Sequence, residues 1–480
     1  MRLLSKSLPL LLALPLGQAC AQQPSPSTQR PAATPATAPA PAATPATAPA
    51  PAPATASPPA APPAATAPTP LPAPSDGELA TYRQCMARLR GAATGKGVDG
   101  PAFDRLTAGL APDMTVLPLL DQQPEFTTPI WDYLAALVDR QRVDDGLAML
   151  REHAATLQRV QADYGVDPAT VVAVWGVESD YGRSFGKRPL LTSLSTLSCF
   201  GRRQPFFQGE FIATLQLLAR GDLRDPGITG SWAGAFGHTQ FMPTTYQRIA
   251  VDVDGDGRRD LVGSIPDALG STANYLKKSG WRSGEPWGYE VKLPAGFNAS
   301  QAGRTNRKPL SEWVAQGVRR VDGTAFDGVA ADARAAVVLP AGASGPAFVV
   351  FKNYDAIYSY NAAESYAFAI AHLADRLRGG GAFATPWPTD DPGIGRAERR
   401  ELQALLLARG HAIGEADGMV GTLTRRAIAV EQGRLGISPA DGRAGLRILE
   451  ALRAEAATAP PPTPASSPTS TPASSPASTL

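Results

Sequence analysis

The sequence predicts a mainly α-helical chain with two folded domains set between disordered ends, and three observations carry that prediction. First, proline and charge are unevenly spread. Of 47 prolines, 18 fall between Pro24 and Pro74 and 7 between Pro460 and Pro476, while Arg30 is the sole charged residue from Gln22 to Ser75 and none follows Thr458. Chain of that kind buries too little apolar surface to offset its ordering entropy. Second, the 382 residues between these ends hold 85 of the 88 charged residues, an ordinary globular proportion with room for two domains. Third, from Asp76 to about Arg378 apolar residues recur mostly at helical spacing, and a shorter helical pattern follows a Gly/Pro break. The net charge of +2 lacks the basic excess of a nucleic-acid binder.

Residues 1–21 read as an export signal. Arg2 and Lys6 form a positive start, Leu8–Leu16 is a short apolar run, and Ala19-Cys20-Ala21 fits a small-x-small cleavage site. The stretch from Leu16 also approximates a lipoprotein box with Cys20 as the lipidated residue, so soluble and anchored forms both stand. Residues 22–75 contain PAATPATAPA twice in tandem, at 31–40 and 41–50. Such Pro/Ala chain favours extended polyproline II and could span on the order of 170 Å as a spacer. Residues 76–378 form the main helical domain, 379–392 a linker, 393–455 a small second module and 456–480 a Pro/Ser/Thr tail. Cys85 and Cys199 remain for the folded part, and in an exported protein two thiols suggest one disulfide, with two separate buried thiols as the alternative. The four histidines are scattered, and no Cys/His cluster has zinc spacing.

Asp167-Pro168 is an N-cap and first-turn pair, and Gly182 a natural stop. Between them Val171, Val174, Trp175 and Glu178 recur at i, i+3, i+4 and i+7, which puts a carboxylate on an apolar face. Burial raises a carboxyl pKa, as a general acid working near neutrality requires. The plainer alternative is a Glu at the edge of the stripe, paired with an arginine such as Arg183. Gly182-Arg-Ser184-Phe-Gly186 matches G-x-S-x-G, but a nucleophile elbow needs a strand before its serine and here a helix precedes it, so the match is chance. Asp252, Asp254, Asp256, Gly257 and Asp260 follow the start of an EF-hand loop, with Arg258 offering its carbonyl. Position 12 is Gly263, and Asp267 is the candidate to supply the missing carboxylate. Ser231–Pro243, rich in glycine and aromatics with Gln240, Phe241 and Met242, suits either a sugar-binding groove or a tight packing loop.

The segment Ala173–Gly182 around Glu178, then Ser231–Pro243, the Asp loop, Tyr360-Asn361 and Tyr366 occur in one order that resembles the membrane-bound lytic murein transglycosylase B family. Gln123–Phe126 and Trp131–Leu134 resemble its N-terminal signature. The resemblance runs from about Asp76 to Arg378 and implies a lysozyme-like helical domain around a long sugar groove. By motif match it makes Glu178 the catalytic acid and base, and Ser231, Gln240, Phe241, Met242, Tyr275, Tyr360, Asn361 and Tyr366 groove residues. It also implies a structural calcium at Asp252, Asp254, Asp256, Arg258 and Asp260 or Asp267; an extra residue before Asp267 makes that ligand a departure from the pattern. Residues 393–455, through Leu402-Gln403, Leu406, Gly410-His411, Asp417-Gly418, Gly421, Thr424, Ala427-Ile428 and Gln432, resemble the small peptidoglycan-binding domain, with Leu406, Ala427 and Ile428 as core. Glu431 stands where such modules often carry an aromatic, which alters the expected binding surface.

The function these resemblances imply is lytic cleavage of the MurNAc–GlcNAc bond of peptidoglycan in the periplasm, by a monomer that needs no catalytic cofactor and is anchored to the outer membrane if Cys20 is lipidated. The alternatives are a hydrolytic muramidase of the same fold, whose second acid would be sought at Asp180, and a non-catalytic wall-binding protein. Every catalytic motif precedes Arg378, so the second module is expected to supply attachment alone.

Overall fold

The structure, a computed structural model, describes residues 73–121 and 123–458. The expected export signal, Cys20, the Pro/Ala stretch and the tail from residue 459 lie outside the described residues. Among those described are seventeen α-helices and seven short strands, and no helix is long and apolar enough to cross a membrane.

The first helix, Asp76–Thr94, starts where its free N–H groups find partners. Ser75 and Glu78 form a reciprocal capping box, and Asp76 and Glu78 place negative charge in the first turn. Its buried face, Tyr82, Cys85 and Leu89, joins Leu191, Leu194 and Phe211 in one apolar cluster. The Tyr82 hydroxyl donates to Ser195 Oγ at 2.7 Å. Cys85 is bonded to Cys199 at the end of the helix Leu190–Cys199, linking positions 114 residues apart.

The helix Pro168–Ser179 is capped as its sequence suggests, with Asp167 accepting from the Thr170 N–H and hydroxyl at 3.1 and 2.8 Å. Its apolar stripe is wider than the i, i+3, i+4, i+7 spacing indicated. Val171, Val172, Ala173 and Val174 are all fully buried, because Arg140–Glu152, Ile265–Lys278 and Glu364–Leu377 pack around it on several sides. A helix buried all round belongs to the core.

The mostly helical reading of 76–378 missed a sheet. β1 (Arg188–Pro189) and β2 (Thr229–Gly230) form a small antiparallel ribbon. β3 (Gly288–Lys292), β4 (Lys308–Pro309), β5 (Arg319–Arg320), β6 (Arg334–Val338) and β7 (Ala347–Val350) form an antiparallel sheet in the order β4-β6-β7-β3-β5. Its side chains alternate between two cores. Ala336, Val338, Phe348 and Val350 face the helical core, whereas Ala335, Val337, Ala347 and Val349 pack with Leu310 and Trp313. With both faces covered, the strands show no apolar/polar alternation, and runs of two to five residues resemble loops or helix fragments.

The C-terminal module is a three-helix unit, Arg396–Ala408, Thr422–Arg434 and Leu446–Thr458. Leu402, Leu406, Ala427, Ile428, Leu449 and Leu452 form its core. Glu431 lies inside the module, bonded to His411 Nε2 at 2.7 Å and Arg434 Nε at 2.8 Å, so it belongs to an internal ion network and offers no exposed platform. The module rests on the larger domain. Arg443 donates to both oxygens of Asp132 at 2.5 and 2.6 Å and also bonds Asp391. Gly393 approaches so closely that a Cβ would lie 2.9 Å from the Asp132 Cα.

Thiol labelling of the denatured, unreduced mature protein is expected to leave Cys85 and Cys199 unreactive. Reduction should lower the melting temperature, because opening a loop of this length costs up to about 4–5 kcal/mol in the chain-entropy account. Two reactive thiols from this pair before reduction would contradict the link.

Candidate active site

Glu178 sits one residue before the end of the acid-bearing helix, half-buried at the wall of a cavity of about 1000 Å³. Glu125, Tyr133 and Tyr366 share that wall, and Met419 and Leu423 of the C-terminal module face it from the other side. These two apolar side chains are 72% and 55% exposed, so the module presents bare hydrophobic surface toward the groove.

The Tyr366 hydroxyl donates to Glu178 Oε1. Burial pushes the Glu178 carboxyl up to about 8; the Tyr366 bond works against that rise, and the charge of Glu125 adds to it. The group therefore holds its proton at neutral pH. Arg183, the candidate partner in the plainer reading of the sequence, pairs with Asp145 and Asp180 at 2.7 and 3.4 Å.

The residues flanking Glu178 are fixed by their own bonds. Ser179 Oγ donates to the His238 carbonyl at 2.8 Å and accepts from the Gly182 N–H at 3.1 Å. Trp175 Nε1 donates to His238 Nδ1 at 3.0 Å, which puts the imidazole proton on Nε2. Burial lowers the His238 pKa to about 4, so the ring is a neutral structural partner. Arg142 is buried and donates to the Gly176 carbonyl at 2.6 Å.

Tyr366 and Asn361 line the cavity with Glu178. Asn361 Nδ2 donates to Glu125 Oε1 at 3.3 Å. The other sequence candidates lie along an aromatic run leading away from the acid. Tyr366 stacks on Tyr360 with centroids 6.3 Å apart, Tyr360 lies 4.6 Å from Tyr275, and both lie 5.8 Å from Phe241. Phe241 is itself in the core. The Tyr360 hydroxyl donates to the Thr239 carbonyl at 2.9 Å, tying the run to the 231–243 loop. Within that loop Ser231 Oγ accepts from the Ala235 N–H at 3.0 Å, and Gln240, at φ 48°, donates to the Gly237 carbonyl at 2.9 Å. Met242, like Trp232, packs against the disulfide-linked cluster. Ser184 follows a helix and lies in a loop, not at a strand-to-helix elbow.

The Asp loop brings oxygens of Asp252, Asp254 and Asp256 within 4.8 Å of one another, all exposed. Gly255 and Gly257 take left-handed φ of 81° and 84°, as the tight turn requires. Three hard anionic oxygens so close suit a hard divalent cation. Asp260 and Asp267 stand apart from this trio. Asp260 Oδ1 accepts the Val262 and Gly263 N–H groups. Asp267, fully buried, accepts from Val253 and Asp260 at 2.7 Å each and braces the loop from behind.

Residues 81–375 match the transglycosylase SLT domain model, and residues 395–452 match a peptidoglycan binding domain model. The chain belongs to the transglycosylase SLT domain family. It is 35% identical over 238 residues to membrane-bound lytic murein transglycosylase B of Escherichia coli K12, covering 46% of this chain and 64% of that relative's length. Among solved structures it resembles SltB3 of Pseudomonas aeruginosa in complex with NAG-anhNAM-pentapeptide, at 47% identity and a TM-score of 0.62 over 78% of this chain and 99% of the other. The Escherichia coli lytic transglycosylase SLT35 in complex with calcium is 29% identical, with a TM-score of 0.53 over 62% and 92% of the two chains.

Glu125 and Tyr133 were missed as site residues, although both lie inside the two N-terminal signature segments. Arg142 and the module's Met419 and Leu423 carried no local signal, since only folding brings them to the cavity.

The raised Glu178 pKa has a consequence for stability. Between its ordinary 4.5 and about 8 the folded carboxyl keeps a proton that the unfolded one releases, so wild-type stability falls as pH rises through that window. Glu178→Gln removes this dependence. Its stability relative to wild type should therefore improve from about pH 5 to about pH 8 and then level off. Urea melts at intervals between pH 5 and 9 check this, and a constant difference would contradict it.

Proposed function

We propose that the chain is a lytic transglycosylase that cleaves the MurNAc–GlcNAc β-1,4 bond of peptidoglycan without water and leaves 1,6-anhydro-MurNAc ends. The observation that carries this reading is a carboxyl group at a groove wall that remains protonated at neutral pH, Glu178. With Tyr366 donating to Oε1, the acid proton is favoured on Oε2 and directed to the leaving glycosidic oxygen. The C1–O bond breaks with oxocarbenium-like character at C1. The carboxylate then takes the proton of the muramyl C6 hydroxyl as that oxygen closes on C1. The proton lost by Glu178 is regained, and no water enters. One carboxyl suffices because the nucleophile is on the substrate, whereas most glycosidases use two.

Asp180 is a poor second acid. Burial alone would raise its carboxyl, but the Arg396 hydrogen bonds and the charges of Arg142, Arg396 and Arg183 outweigh that and keep it ionised. Glu125 shares the cavity with Glu178 and favours a second reading, hydrolysis with Glu125 placing a water. The solved complexes of SltB3 with NAG-NAM-pentapeptide and NAG-anhNAM-pentapeptide support the first reading.

In the same proposal Asp252, Asp254, Asp256 and the Arg258 carbonyl hold a structural calcium, as the calcium complex of SLT35 suggests. The ion would neutralise the carboxylate trio and stiffen the loop, with no part in the proton transfers. The module at 393–455 attaches the enzyme to glycan strands. Export to the periplasm fits the membrane-bound Escherichia coli relative.

Glu178→Gln should keep the fold and lose more than the roughly 10²–10⁴-fold typical of one acid–base role, since one residue serves both halves of the reaction. Mass analysis of digested sacculi should find anhydro ends. Reducing ends from wild type would favour the Glu125 hydrolysis, and near-normal turnover by Glu178→Gln would overturn the assignment. Millimolar calcium should raise the melting temperature of chelator-stripped protein by binding only its folded form. An unchanged melt would leave the aspartates as a turn.

A further inference from the structure

The helix that carries Glu178 ends in an uncommon turn. Asp180, Tyr181 and Gly182 all adopt left-handed backbone, with φ of 51°, 58° and 85°. For a bulky residue such as Tyr181 this conformation is an outlier that persists only when its surroundings over-determine it. Tyr181 is held from within the larger domain. Its hydroxyl donates to the Arg142 carbonyl at 2.8 Å, and its phenol group fills the space left by Gly146 and Gly176, where a Cβ would lie 2.5 Å from the Tyr181 hydroxyl oxygen and 2.6 Å from its Cζ respectively.

Asp180 is held across the boundary between the two modules. Arg396, the first residue of the C-terminal module's first helix, donates from both terminal nitrogens to the two Asp180 oxygens, at 2.9 and 3.0 Å. Both side chains are largely buried, 12% and 18% exposed. The other two arginines near Asp180 hold it less directly. Arg142 stands 3.6 Å away, and Arg183, 3.4 Å away, is nearly half exposed. Arg396 is itself fixed by its module. Gly418, at φ 82°, brings backbone so close that a Cβ there would lie 2.8 Å from the Arg396 Cγ. A planar guanidinium gripping a carboxylate in this two-bond fashion sets orientation as well as charge.

We propose that Arg396 is a positioning residue for Glu178: by clamping Asp180 from the second module it fixes the left-handed turn behind the acid, so the module that attaches the enzyme to its substrate also sets its turnover. This rests on the reading of Glu178 as the acid. It replaces the expectation from sequence that the module supplies attachment alone.

The test uses the full-length mature chain and a stem-free GlcNAc–MurNAc tetrasaccharide as soluble substrate, with melting curves confirming that each variant is folded at the assay temperature. Arg396→Ala should lower kcat about tenfold or more, since a misplacement near 1 Å costs on the order of 10²-fold, while KM stays within about twofold. Arg396→Lys, which keeps the charge but not the two-bond grip, should recover only part of the rate. In an Asp180→Asn background Arg396→Ala should add nothing, because the bond it removes is already broken. Arg453→Ala, which breaks a pair with Glu401 inside the module, should leave turnover unchanged. A kcat within about twofold of wild type for Arg396→Ala, a loss confined to KM, or additive losses in the double variant would each overturn the proposal. Glu178→Gln assayed alongside separates the two readings. If it is inactive while Arg396→Ala is normal, only the cross-module role fails; if it turns over normally, the acid assignment fails and the positioning role with it.

Discussion

Keeping one carboxylic acid un-ionised beside water is the constraint around which the larger domain is organised. The charged form of Glu178 is disfavoured by the protein packed around it. That environment exists only because the helix carrying it is buried on several sides, with Val171, Val172, Ala173 and Val174 fully enclosed. Among the described residues, the hydrogen bond to the carboxyl comes from Tyr366 on a facing helix. Relaxing that packing would admit water and return the group toward the ordinary carboxylate range.

Such a site needs its backbone held as firmly as its side chain. Several residues around Glu178 are bonded to something distant: Trp175 and Ser179 to His238, Gly176 to Arg142, Asp180 to Arg396. The left-handed turn concentrates this dependence, because two consecutive non-glycine residues in that region are unfavourable unless neighbours compensate. Here the compensation is divided between two modules. The docked face of the second module, through Arg443 on Asp132 and Arg396 on Asp180, makes the groove a joint construction.

Farther out, two devices close long stretches of chain. The Cys85–Cys199 bond joins the first helix to the helix following the acid segment. The Asp loop is bound to the helix behind it by Asp267, whose two oxygens take backbone N–H groups from both halves of the loop. Neither device touches the Glu178 carboxyl. Asp267 lies on the helix that also carries Tyr275 of the aromatic run.

Much of this was legible in the chain because it is local chemistry. The Asp167-Pro168 start, the Asp252–Asp260 loop and the carboxylate in an apolar helix are short-range patterns whose physical meaning does not depend on the remainder of the fold. The shared order of several such motifs pointed to the family. The sheet of β3 to β7 was not legible, since strands of two to five residues with both faces buried lack the alternation that marks a strand. Glu431 was misjudged as a surface position because a single residue type does not reveal that His411 and Arg434 meet it inside the module. Arg396 offered no signal at all. Its partner is 216 residues away, and an arginine at the start of a helix is ordinarily solvated. Burial and ion pairing between distant residues are set by how modules dock, and docking follows from the shapes of whole surfaces.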